Sequence, residues 1–174
     1  GSPSSTKLVH ASADCSQPFL PDIAQLSHAR GILALMESKE ILRVALDAAG
    51  YQVTKVFVDV PEPLQDARLD DALMSPRDTM SHLAECYTAL LKMARGEKHE
   101  WGTYEPPTAE WAGLMSEMHR LRAEVCVVAA EGSDETQKQA VDFIVLHDTY
   151  HVGQMCALRI ARQPGWDPYS IYNF

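Results

Sequence analysis

Five residues, His147-Asp148-Thr149-Tyr150-His151, set two imidazoles four positions apart, and the apolar residues around them recur with a helical period. Residues at i and i+4 of a helix share a face, about 6 Å apart along the axis, so both rings can turn toward one ion. Such pairs also arise by chance at the edge of a helical core. A third donor is therefore what gives the pair meaning.

That donor has to come from upstream. After His151 the chain holds no histidine and no glutamate, and Asp167 lies beyond Pro164. This separates the segment from the zinc proteases, whose H-E-x-x-H signature resembles H-D-x-x-H but takes its third ligand further along the chain. On a helical wheel, His147, His151, Gln154 and Leu158 share an arc beside an apolar stripe of Val141, Ile144, Val145, Val152 and Met155. On an earlier segment His82 shares its arc with Thr79, Cys86 and Met93, again beside an apolar face.

His82, His147 and His151 could thus converge on one metal, with positions left open on the ion for water or substrate, or sit as core-edge or surface histidines. Imidazole suits Zn, Ni, Cu or Fe, so the ligand set alone does not select among them; Zn or Ni is the expectation carried forward. A carboxylate, Glu85 or Asp148, in place of one histidine would instead suit non-haem iron. Asp148 falls on the apolar stripe, where an unpaired carboxylate is costly, so it must either support the metal ligands or form a buried ion pair between helices. Gln154, one turn beyond, is placed to meet substrate or to pack as a polar edge. Gly153, in mid-helix, predicts a close approach by another helix or a ligand. His10, His28, His99 and His119 read as solvent-exposed. No Ser or Cys paired with a base is visible, so the enzyme reading depends on the metal.

The elements that must carry these residues read as helices. One is predicted from Asp22 to about Ala49, with Leu35, Leu42, Ala45 and Ala49 on a face and Gly50 as its stop. Tyr51 to Met74 reads as a long link whose β-branched stretch, Val53 to Val60, makes at most a short extended segment before Pro61 and Pro63. Ser75-Pro76 opens the next helix, with Met80, Leu83, Tyr87, Leu90, Leu91 and Ala94 in register as far as Gly96. Thr108 caps a third, from Trp111 through Leu114, Met115, Met118, Leu121, Val125 and Val128 to Gly132. Ser133 opens a fourth that ends at Pro164-Gly165. The fold class is all-α, a four-helix bundle over residues 21–174, preceded by an irregular Ser-, Ala- and Pro-rich arm over 1–20. The aromatic tail of Trp166, Tyr169, Tyr172 and Phe174 packs over the bundle or a dimer partner.

Composition narrows the partners. In 174 residues, 24 acidic side chains outnumber 15 basic ones for a net charge of -9, with no basic stripe to hold nucleic acid. No apolar run approaches the roughly 20 residues of a membrane span. Cys15, Cys86, Cys126 and Cys156 form no CxxC pair and read as reduced thiols of a cytoplasmic protein.

Ser75-Pro76-Arg77 leading into Met80-Ser81-His82-Leu83-Ala84, together with His147 through Gln154, resembles the DinB-like family of metal-dependent enzymes, over about residues 22 to 163. The resemblance implies a four-helix bundle with a divalent metal on His82, His147 and His151, and homodimers formed through helix faces. Similar proteins include thiol S-transferases and a mycothiol-dependent maleylpyruvate isomerase, which makes a low-molecular-weight thiol a candidate cofactor. The expected activity is that of a metal-dependent hydrolase or thiol transferase on a small-molecule substrate. The competing expectation is a non-catalytic, metal-stabilised bundle that serves as a small-molecule or stress-linked binding protein.

Overall fold

Leu42, Leu46, Ala49, Val53, Val56 and Phe57 recur every three or four residues, and the helix they form, α1 (Ser38–Phe57), buries all of them. In the computed structural model residues 38–173 are described, all within the second of two units that divide between Met36 and Glu37. The expected arm and the first turns of the expected first helix, Leu35 included, lie outside the described residues. Among those described, every regular element is helical.

Gly50 does not stop α1, and Val53 to Phe57 is not extended. The apolar period continues across the glycine, and burying that continuous stripe outweighs the modest helix penalty of glycine and of β-branched valines. The helix ends instead near Asp59, which takes φ 56°. Arg159, buried at the far end of the chain, donates to Val56 O at 3.0 Å and Val58 O at 2.8 Å, filling terminal carbonyls that have no partner inside the helix.

A single turn, α2 (Glu62–Gln65), interrupts the connection to α3 (Pro76–Ala94). Ser75 caps α3 as expected, with a reciprocal capping box to Asp78. Arg77 straps the connection down through Asp66 at 2.7 Å and Ala109 O at 2.6 Å. The next helix is α4 (Trp111–Glu131); Thr108 does not cap it but accepts the Glu110 N–H just before it. Ser133 caps α5 (Asp134–Ala140), a π turn follows over Val141–Leu146, and α6 (His147–Arg162) completes the rod.

The π turn explains a displaced stripe. Its i→i+5 bonding inserts an extra residue per turn, so faces before and after it are offset. Ala140, Ile144, Val152 and Met155 are buried, whereas Val141 is exposed and Val145 only partly covered. Gly153 also departs from expectation: it is exposed and a Cβ there would meet nothing within 4 Å. In the tail, Ile171 is buried and Trp166 packs on the core under Arg159, whose guanidinium lies 4.5 Å from the indole centroid; Tyr169 points outward and Phe174 is outside the described residues.

α1 packs on α4 and α6, α3 packs on α4, and the π turn touches both α1 and α3. Where they meet, Asp148 is 0 % exposed. It accepts Tyr87 Oη–H at 2.7 Å and Arg122 Nε–H at 2.9 Å, while Arg122 Nη2 donates to Leu46 O at 2.7 Å. Burial raises the Asp148 pKa and Arg122 opposes the rise. Gly50 has the close approach that the glycine of α6 lacks: a Cβ there would sit 2.8 Å from Arg122 Cζ and closer still to Nη1. In urea denaturation Gly50→Ala should therefore lose roughly 1–3 kcal/mol, although alanine is the better helix former. An unchanged or raised midpoint would mean that the guanidinium yields freely.

Candidate metal centre

α3 and α6 meet edge to edge, and three imidazoles converge there. His147 Nε2 lies 3.3 Å from His82 Nε2 and 3.1 Å from His151 Nε2. The ring centroids are 4.7 to 5.0 Å apart, all edge-on. Zn–N bonds of about 2.0–2.1 Å in a tetrahedral site put neighbouring nitrogens about 3.3–3.4 Å apart, so both spacings approach those of a shared ion. Without a cation, one imidazole nitrogen faces two like it and can satisfy at most one as donor or acceptor.

The surroundings tune the rings. Burial pulls the His151 pKa down from 6.5 to about 4, with repulsion from His147 and His82 behind it; burial also lowers His82 and His147. All three thus favour the neutral, ligating form. His151 Nδ1–H donates to Gln154 Oε1 at 2.9 Å, and the Gln154 amide N–H donates to Tyr150 Oη at 2.9 Å. This fixes the tautomer that leaves the His151 Nε2 lone pair facing the other rings. Gln154 therefore supports a ring. His147 Nδ1 is buried without a partner, and its ring is held between the other two and a parallel stack on Tyr150.

Cys86 joins the cluster. Its Sγ is 3.7 Å from His82 Nε2, and the donor atoms of His82, Cys86 and His147 all lie within 4.8 Å of one another, so these three could hold a metal. A Zn–S bond of about 2.3 Å beside a Zn–N bond implies a separation of about 3.6 Å. By sequence Cys86 shares the arc of His82 but reads as an ordinary reduced thiol. Its position four residues after His82 was the available signal. Burial pushes its thiol up to about 12, so the free side chain is neutral and only a cation would draw off the proton.

The carboxylates take other roles. Both Asp148 oxygens are engaged by Tyr87 and Arg122, the ion-pair alternative of the two weighed above. Glu85 accepts the Gly102 N–H at 2.6 Å and His99 Nε2–H at 3.2 Å. His99 is accordingly no surface histidine: its side chain is 3 % exposed. His119 is partly buried, while His10 and His28 lie outside the described residues. A cavity of about 260 Å3 opens on the centre, lined by His82, Cys86, Trp101, Asp142, Phe143 and His147.

No family model, no curated protein and no solved structure matches the chain. No helix among the described residues is long and apolar enough to cross a membrane.

The depressed histidines make stability depend on pH in one direction. Their folded-state pKa values lie below the unfolded 6.5, so the contribution is present above 6.5 and is lost as protons bind preferentially to the unfolded chain. Chelator-treated protein should lose stability between pH 6.5 and about 4, on the order of 2–3 kcal/mol from His151 alone. Thermal melts across that range check it, and His151→Gln should flatten the slope.

Proposed function

We propose that the chain is a four-helix bundle of the DinB-like kind whose His82, His147 and His151 hold a divalent transition metal, Zn or Ni, in a metal-dependent enzyme. The observation that carries this reading is His147 Nε2 lying 3.3 Å from His82 Nε2 and 3.1 Å from His151 Nε2, beside a cavity that His82 and His147 line. Three neutral imidazoles at the edge of the core leave one nitrogen facing two like it, which a cation would satisfy. A divalent ion there would act as a Lewis acid, lowering the pKa of a water or small thiol toward neutrality. The reactions this suits are hydrolysis and thiol transfer on a small molecule, with Gln154 orienting His151 and Asp148 setting the rotation of α6.

Cys86 decides between this reading and its rival. A fourth protein ligand would close the site and make it structural, a tie between α3 and α6; a neutral Cys86 leaves a position open to the cavity. Elemental analysis of protein purified without a nickel column should find about one transition metal per chain, lost in His82→Ala, His147→Ala and His151→Ala. With cobalt in the site, a thiolate charge-transfer band that disappears in Cys86→Ser would establish the closed, structural site. Wild-type protein free of stoichiometric metal, or a triple variant that keeps it, would overturn the assignment altogether.

A homodimer belongs to the same proposal. Leu146, Tyr150, Gly153, Ala157 and Ile160 are all exposed and fall on one face of α6 and the turn before it, at i, i+4, i+7, i+11 and i+14. That is the spacing of a helix-packing seam, and a second copy presents a self-complementary one. Sedimentation equilibrium should give twice the chain mass for wild type and a monomer for Leu146→Glu with Ile160→Glu. A wild-type monomer at tens of micromolar would remove the dimer from the proposal.

A further inference from the structure

Beyond its histidines and cysteine, the cavity wall consists of Trp101, Asp142 and Phe143. Trp101 is 51 % exposed. It is nevertheless held from three directions. The Glu85 carboxylate takes hydrogen bonds from His99 and Gly102, on either side of it in sequence. His99 packs edge-on against the indole, with centroids 4.8 Å apart at 83°. Phe143, in the π turn, lies nearly parallel to it at 10° and 6.0 Å. A half-exposed aromatic whose freedom is already spent is suited to binding, because little further ordering is needed when a ligand arrives.

The charge of the wall selects among ligands. Asp142 is its one carboxylate, and no lysine or arginine lines the cavity. The proposed ion would draw anions toward the histidine end, but the Trp101 end offers an anion no lysine or arginine and offers a cation two aromatic rings and a carboxylate. At about 260 Å3 the space falls just under the roughly 300–1,000 Å3 typical of drug-sized ligands.

We propose that this cavity binds a small organic cation, a compact primary or quaternary ammonium compound, with its charge against Trp101 and Phe143 beside Asp142 and its other end toward His82 and His147. The proposal rests on the metal reading for that other end only.

Calorimetry on the zinc-loaded full chain tests it with choline and 3,3-dimethylbutan-1-ol, which match in shape and differ in charge. Choline should bind roughly two- to thirty-fold more tightly, the range a cation–π contact supplies. Trp101→Leu and Asp142→Asn should each weaken choline at least about threefold while keeping zinc content and helicity, and Asp142→Asn should leave the alcohol unchanged. Equal affinity for the two probes, no binding of choline, or unaltered choline binding in both variants would overturn the proposal. Choline binding that survives in a protein without stoichiometric metal would overturn the metal reading and leave the cation site standing.

Discussion

A carboxylate with no exposure cannot stand unpaired in an apolar interior, and Asp148 meets that constraint by drawing one donor from each of two other helices. Its partners lie on α3 and α4, and Arg122 reaches on to a carbonyl of α1. All the long helices are thereby tied at one level. Such a pair adds little net stability over a well-packed apolar replacement; what it supplies is registry. Because Asp148 must point inward, α6 has one allowed rotation, and at 100° per residue His147 and His151 are turned onto the edge facing α3. Tyr87 does the same for α3, since fixing its hydroxyl on Asp148 sets the rotation of the residue before it, Cys86, and of His82 one turn further back. One hydrogen bond orients both helices that carry candidate ligands.

Two further anchors follow the same logic farther out. Arg159 fills the carbonyl end of α1 and holds Trp166 over it, so the tail closes the bottom of the core with a buried cation that needs no carboxylate. Glu85, one turn from His82, holds the loop after α3 through His99 and the Gly102 N–H. Residues nearest the centre are therefore braced on both sides: Gln154 steadies a ring from within α6, and Glu85 steadies the indole that faces the cavity. The π turn belongs to this arrangement too, because its offset brings Phe143 and Asp142 to the cavity while Ile144 stays in the core.

The candidate site was legible in the sequence to the extent that helical periodicity controls it. His147 and His151 share a face by spacing alone, and the flank position of His82 pointed to the same edge. Ser75, Gly96 and Pro164 marked real helix ends because caps and breakers act locally. What failed depended on distant groups. Gly50 looks like a stop until Arg122, 72 positions away, is seen lying across it. His99 looks like a loop histidine until the chain folds back onto Glu85. The straight stripe through Val141 assumed uniform α geometry, and no local signal announces six residues of π helix. Cys86 was missed for another reason: a buried thiol and a metal-binding thiol have the same sequence appearance, and only the company of His82 and His147 separates them.

That company also bears on what the proposed metal centre would accept. A low-molecular-weight thiol that carries carboxylates would bring negative charge to a wall whose one carboxylate is Asp142 and which has no lysine or arginine in its lining. Its sulfur could still reach the histidines, but its acidic tail would have to remain in water beyond Trp101, where binding contributes little. An uncharged thiol meets no such penalty. On the proposed reading the ion would hold the sulfur of such a thiol, while the Trp101 end, with Asp142 and no lysine or arginine, offers a carboxylate-rich tail no partner.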